Sequence, residues 1–167
     1  MSEPEVWLRG PIDGIDAFLQ PAAHALVQAR EDLMTIARSV PPDQLWARPG
    51  GAASVGFHVR HAAGALERLL VYARGEQLTP EQASAAKAEK DESPGLDAAA
   101  VIDELRRSVD KALLQLKATK RDSLLQPREV GRARLPSTVM GLIFHAAEHA
   151  QRHAGQAITT AKALGSG

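Results

Sequence analysis

Hydrophobic positions recur at spacings of three and four residues in four long segments of the chain. These segments run from Pro21 to Val40, from Ser54 to Arg74, from Asp97 to Ala118 and from Pro136 to Leu164. This spacing puts the apolar side chains on one face of a helix. The pattern therefore predicts four long amphipathic helices, and scattered β-branched residues give little support to strands.

Turn-forming residues separate the four segments. Pro41 and Pro42 end the first helix, because proline removes a backbone donor and cannot continue it. Ser54 is a candidate N-cap for the second helix, and Gly75 is a candidate stop after it. The sequence Pro136-Ser137 opens the fourth helix in this prediction.

The two longer links differ in composition. Thr79-Pro80-Glu81 is typical of a helix start and predicts a short extra helix, followed by a polar, turn-rich excursion through AEKDESPG. Residues 121–135 predict a long crossover without regular structure. The expected fold is an all-α four-helix bundle with a short extra helix between helices two and three, formed by one domain over residues 1–167.

Composition narrows the function classes. The chain has no cysteine, so thiolate metal sites and cysteine nucleophiles are excluded. Lysines plus arginines and aspartates plus glutamates number 20 each, without the positive excess typical of nucleic-acid binding. The N-terminal sequence has no basic start followed by an apolar run, and no segment is apolar enough for a membrane span. We therefore expect a cytoplasmic protein that binds neither nucleic acid nor membrane.

Five of the six histidines fall in two short windows: His58 and His61 in one, and His145, His149 and His153 in the other. Histidines four residues apart lie about 40° apart on a helix, so both imidazoles can reach one ion. Facing helices could combine two histidines of the second window with either histidine of the first. Three nitrogen ligands with an open position are typical of catalytic zinc. Hydrogen-bonded structural histidines are the alternative that the spacing leaves open.

The two histidine windows carry a family resemblance. SVGFHVRHAAGALERLL, followed at long distance by FHAAEHAQRHAGQ, resembles the DinB/YfiT-like family over nearly the whole chain. The resemblance implies an up-up-down-down four-helix bundle that binds a divalent ion, zinc or nickel, through a histidine triad. By position, His61 matches the ligand on helix two, and His149 and His153 match the pair on helix four. Some relatives transfer low-molecular-weight thiols such as bacillithiol or mycothiol, or isomerise maleylpyruvate.

This chain departs from the family pattern around the triad. His58 is an extra histidine one turn before His61, so the identity of the helix-two ligand stays open. His145 lies about 80° around its helix from His153, which favours a place beside the ion over a fourth bond to it. The residues expected around the ligands, where they would orient the imidazoles, are His58, His145, Glu148 and Gln156. For Glu148 and Gln156 an ordinary surface role is the alternative.

Three arginines in the long crossover, Arg128, Arg132 and Arg134, could bind carboxylates of a small molecule, and a solvated loop is the alternative. The leading hypothesis is a divalent-metal-binding, DinB-like enzyme that acts on a small molecule, as a thiol S-transferase or a hydrolase. The rival hypothesis is a non-catalytic metal- or stress-related bundle with structural histidines. A homodimer is expected under either hypothesis, because amphipathic bundles often associate through an apolar face.

Overall fold

The computed structural model describes residues 3–89, 93 and 95–165. The long helices are α1 (Gln20–Ser39), α2 (Val55–Ala73), α4 (Ala98–Ala118) and α5 (Val139–Ala163), and the short helix α3 (Pro80–Ala88) lies between α2 and α4. The predicted four-helix bundle and its short extra helix are confirmed. Residues 90–92 and 94 of the predicted polar excursion lie outside the described residues.

Side-chain caps set where several helices begin. The Ser54 hydroxyl accepts a hydrogen bond from the Phe57 amide at 3.1 Å, which confirms the predicted start of α2. A reciprocal capping box between Thr79 and Gln82 begins α3. Since each cap satisfies amide groups that have no partner within the helix, local sequence marks these starts.

Helices α2 and α5 run antiparallel. The Thr160 hydroxyl donates to the carbonyl of Ala53, just before α2, at 3.2 Å. His61, further along α2, lies beside His149, which comes earlier in α5. The N-terminal half of α2 therefore faces the C-terminal half of α5.

Helices α2 and α4 run parallel. Arg60 pairs with Glu104, and in the last turn of α2 the Leu70 carbonyl accepts from Gln115. The segment before α1 lies instead beside the end of α4, where Arg121 donates to Asp16 at 2.9 Å. Helix α1 is therefore antiparallel to α4.

In chain order the four long helices run up, down, down and up, which corrects the up-up-down-down order implied by the resemblance. The physical reason lies in the links. Helix α2 ends at Ala73 and α4 begins at Ala98 at the other end of the bundle, as a parallel pair requires. The link at residues 121–135, expected to be the crossover, joins helix ends on the same side of the bundle.

A β-hairpin stands where that crossover was predicted. Strand β1 (Pro127–Val130) pairs antiparallel with β2 (Leu135–Thr138), around a turn with Gly131 at φ 68°. Pro136 lies opposite Glu129 in this ladder, so α5 begins at Val139 and not at Pro136-Ser137 as expected. The strands are short and carry prolines, which only exposed edge strands tolerate, and this explains why the pattern gave no strand prediction.

The core lies between the four long helices. Its largest fully buried side chains include Leu26, Leu33, Val59, Leu66, Leu105, Leu116 and Ile143. The buried face of α5 is largely alanine: Ala146, Ala147, Ala150, Ala154 and Ala157. Small side chains let neighbouring helices approach closely, so long side chains on the same helices can meet. In the part of the chain that the structure describes, no helix combines the length and apolar character needed to cross a bilayer.

Candidate metal centre

Helices α2 and α5 bring three histidines together. His61, His149 and His153 each offer one ring nitrogen, and these nitrogens all lie within 4.8 Å of one another. The ring centroids are 4.6 Å apart for His149 and His153, 4.7 Å for His61 and His153, and 5.3 Å for His61 and His149. The structure thus brings together the three residues that the family resemblance matched as a triad.

The spacing of the ring nitrogens fits a shared ion. His61 Nδ1 lies 3.2 Å from Glu89 Oε2, and since a carboxylate only accepts, the ring proton is on Nδ1. His61 Nε2 is then a free lone pair, 3.2 Å from His149 Nε2. Two nitrogens bound to one zinc at 2.0–2.1 Å and a tetrahedral angle are about 3.3–3.4 Å apart. The observed separation is close to that value.

Burial favours the neutral form of the two triad histidines on α5. It lowers the pKa of His153 to about 3, with further lowering from the nearby His61 and His149. Burial also lowers the pKa of His149, again assisted by His61. A metal needs deprotonated imidazole, so these nitrogens are available at neutral pH. A set of three imidazoles suits zinc or nickel better than magnesium or calcium, which prefer oxygen.

His58 lies behind the triad. It is buried, and its Nδ1 is 3.0 Å from Nδ1 of His153, on the side of that ring away from Nε2. Burial lowers the pKa of His58 to about 4, with a smaller contribution from His61. His58 is not among the three residues whose nitrogens converge. This placement suits a residue that orients His153.

The other residues expected around the ligands make different contacts. His145 is exposed, with Nδ1 2.6 Å from Glu148 Oε1 and its ring centroid 5.6 Å from that of His149. Both Glu148 oxygens also accept from Arg152. Gln156 is exposed. Glu148 therefore pairs along its own helix and does not orient a triad imidazole.

Sequence reasoning missed Glu89, which it placed in the polar excursion. This residue follows α3, is buried, and pairs with both His61 and Arg68. The pattern held two indications of it: the Thr79-to-Gln82 capping box, and a stripe of His61, Gly64 and Arg68 on one face of α2.

The crossover arginines have structural contacts elsewhere. Arg128 Nε donates to the Ala73 carbonyl at 2.8 Å and so caps the end of α2. Arg134 pairs with Glu129 at 2.8 Å, and Arg132 is exposed. Ala73 is about 18 Å along α2 from His61 at 1.5 Å per residue. Arg128 therefore lies at the opposite end of α2 from the histidines, which favours the loop interpretation of these arginines.

Fold and site together define a four-helix bundle with a candidate metal centre of three histidines between two of its helices. A model of the DinB superfamily matches residues 25–157, and the chain belongs to that superfamily. No match was found among the curated proteins.

Solved structures share the fold. A protein assigned to the DinB family from Exiguobacterium sibiricum is 20% identical with a TM-score of 0.70, over 90% of this chain and 94% of its own. A conserved protein from Enterococcus faecalis is 20% identical with a TM-score of 0.65, over 87% and 96%. YfiT from Bacillus subtilis is 16% identical with a TM-score of 0.61, over 95% and 94%. It is described as a probable metal-dependent hydrolase with an unusual four-helix bundle topology.

Proposed function

We propose that His61, His149 and His153 hold one divalent ion, zinc or nickel, and that the chain is a metal-dependent enzyme acting on a small molecule. The reaction is thiol transfer, with a low-molecular-weight thiol as substrate, or hydrolysis. The convergence of three imidazole nitrogens carries this proposal. The likeness to YfiT, described as metal-dependent, supports it.

Each neighbouring residue has a defined task in this proposal. Glu89 keeps the proton on His61 Nδ1, so that Nε2 presents its lone pair to the site. His58 contacts Nδ1 of His153 and so holds that ring in place. The Phe57 ring stacks on His61 with centroids 5.2 Å apart and planes at 8°, which excludes water from one face of the imidazole. When bound, the metal lowers the pKa of a thiol or water toward neutrality.

A non-catalytic bundle is the second candidate. The His58–His153 and His61–His149 nitrogen pairs, at 3.0 and 3.2 Å, are also at hydrogen-bonding distance. Under this hypothesis the histidines satisfy one another, bind no metal, and contribute only to the packing of α2 against α5.

Metal analysis separates the two candidates. We would purify the protein without a nickel column, measure its metal content, and titrate the metal-free form with zinc and with nickel. About one ion per chain is expected, with loss of binding in His153→Ala. The matched control is His24→Ala, because His24 contacts only the Gly10 carbonyl among the contacts the structure gives it. A wild-type protein that binds neither metal would favour the structural alternative.

Activity is tested on the metal-loaded protein. Thiol consumption with an electrophilic acceptor tests for transfer, and release of product from activated esters and amides tests for hydrolysis. Activity that follows metal content, and is absent in His153→Ala, is the expected result. A loaded protein without either activity would contradict the enzymatic part of the proposal and leave metal binding intact.

We also propose a homodimer. Leu125, Leu135 and Phe144, at the hairpin and the first turns of α5, are 75%, 61% and 67% exposed, and a second copy of the chain would cover such side chains. Light scattering over a range of concentrations tests this. A monomer at every concentration would contradict it.

A further inference from the structure

Glu89 is a buried carboxylate at the end of the short helix α3. Only 7% of the residue is exposed, although it follows a short helix near the surface. Burial alone raises the pKa of Glu89, but hydrogen bonds from His61 and Arg68 outweigh that effect and hold the pKa below its usual value. Because an unpaired buried charge is costly, these two partners keep the carboxylate ionised in place.

The surface of α2 is shaped to receive this carboxylate. A Cβ atom at position 64 would lie 2.6 Å from Glu89 Cδ and would overlap Oε1. Gly64 therefore leaves the space that the carboxylate fills. His61, Gly64 and Arg68 lie on successive turns of one helix face. This face of α2 therefore presents two hydrogen-bond donors, His61 and Arg68, with space for the carboxylate at Gly64 between them.

Helix α3 has little else to hold it. None of its residues is buried. Its start is fixed locally by the Thr79 capping box, and its end carries Glu89 into contact with α2. The contact made by Glu89 therefore ties the end of this helix to the bundle.

We propose that Glu89 is the positioning residue of the metal centre: its carboxylate fixes the tautomer and ring orientation of His61, Gly64 admits it, and Arg68 holds it. This inference rests on the proposed metal function. Carboxylates that accept from the outer nitrogen of a ligand histidine fix its orientation and raise its basicity. Losing such a partner typically lowers metal affinity by about ten- to a hundredfold.

The first test measures zinc affinity by competition with a chelating dye. Glu89→Ala is expected to weaken binding about ten- to a hundredfold. Glu89→Gln should lose less, since its amide oxygen can still accept from His61. Gly64→Ala should reproduce the loss of Glu89→Ala, because it displaces the carboxylate. The matched control is Gly155→Ala, a helical glycine of α5 where a Cβ meets nothing within 4 Å.

The double variant tests the mechanism. If Gly64 matters only because it admits Glu89, Gly64→Ala should cost nothing further once residue 89 is alanine. Additive losses in the double variant, or wild-type affinity in Glu89→Ala, would overturn the inference. Thermal unfolding of each metal-free variant shows whether the fold is retained.

The second test needs no metal. Nitrogen-15 NMR of the metal-free protein reports which nitrogen of His61 carries the proton. The expected state is Nδ1–H in the wild type, with a shift toward Nε2–H in Glu89→Ala. An unchanged tautomer would overturn the positioning role. If the wild type binds no zinc but the tautomer of His61 still shifts in Glu89→Ala, the proposed function is refuted. The contact between Glu89 and His61 is then established independently of metal binding.

Discussion

The two helices that supply the histidines support them in different ways. On α2, His61 is held from behind by Glu89, which is in turn held by Arg68. On α5, His149 Nδ1 is buried and has no hydrogen-bond partner among the described residues. The ring of His61 is therefore oriented by an ion-paired carboxylate, whereas that of His149 depends on packing. Two histidines of one site can thus respond differently to changes in their surroundings.

His153 is an intermediate case. Its outer nitrogen faces another imidazole, His58, at 3.0 Å. A neutral imidazole orients its neighbour but adds no charge, so it raises the basicity of the ligand less than a carboxylate does. The interaction at the ring nitrogen that faces away from the candidate ion site therefore weakens from His61 to His153 to His149.

The largest expected effect is loss of a direct bond to the ion. His61→Ala, His149→Ala and His153→Ala should each abolish measurable zinc binding, because two nitrogens cannot replace three. This result should not depend on which residue contacts the outer nitrogen of each ring. Zinc titration of the metal-free variants measures it, with His24→Ala as the control. Near wild-type affinity in any of the three would remove that residue from the ligand set.

The buried pair His58 and His153 should make the metal-free protein sensitive to acid. In the unfolded chain both take up a proton near pH 6.5, whereas burial in the folded protein lowers the pKa to about 4 for His58 and about 3 for His153. Between these values the unfolded state binds more protons. The free energy of unfolding therefore falls as the pH falls below 6.5, by up to about 1.4 kcal/mol per pH unit for each histidine.

Urea unfolding in the presence of a chelator, from pH 7.5 to pH 4.5, measures this slope. Other groups also titrate in this range, so the informative quantity is the difference between variants. His58→Gln should reduce the slope, and His24→Ala should leave it unchanged. Equal slopes in wild type and His58→Gln would contradict the expected contribution of His58.

Removal of His58 should weaken metal binding without abolishing it. His58→Ala takes away the contact to His153 Nδ1, and an outer partner typically contributes about ten- to a hundredfold in affinity. We expect a loss no larger than that of Glu89→Ala, since the imidazole carries no charge. If His58→Ala lost the ion and His61→Ala kept it, the ligand on α2 would be His58.

The helices and the pair His149 and His153 could be predicted because both depend on local spacing, whereas the choice of His61 over His58 came from the family resemblance. The four-residue interval between His149 and His153 survives in any helix, and the Ser54 cap needs only its own turn. The direction of α4 could not be predicted from such patterns, since it depends on packing against α1 and α2, which are distant in the chain. The hairpin carried too few apolar positions, chiefly Val130 and Leu135, to mark its strands.

Glu89 was missed for a related reason. In the sequence it stands in a polar stretch, and a glutamate there is ordinarily solvated. Its burial is evident only in the folded structure, where the end of α3 packs against α2. There Gly64 leaves space for the Glu89 carboxylate and Arg68 pairs with it. A contact between segments so distant in the chain has no periodicity of its own. The capping box of α3 and the face of α2 that carries His61, Gly64 and Arg68 were the local features that pointed to it.

The smallest expected effect belongs to His145, the least buried histidine of the α5 series. Its side chain is 48% exposed and paired with Glu148, and the contacts it makes do not include a nitrogen of the triad. His145→Ala should therefore reduce zinc affinity by less than the roughly tenfold loss that marks an outer partner. Gln156→Ala, an exposed change on the same helix, is the matched control. A loss in His145→Ala as large as that in His149→Ala would mean that the ion recruits His145 as a fourth ligand, by rotating a side chain that Glu148 holds only at the surface.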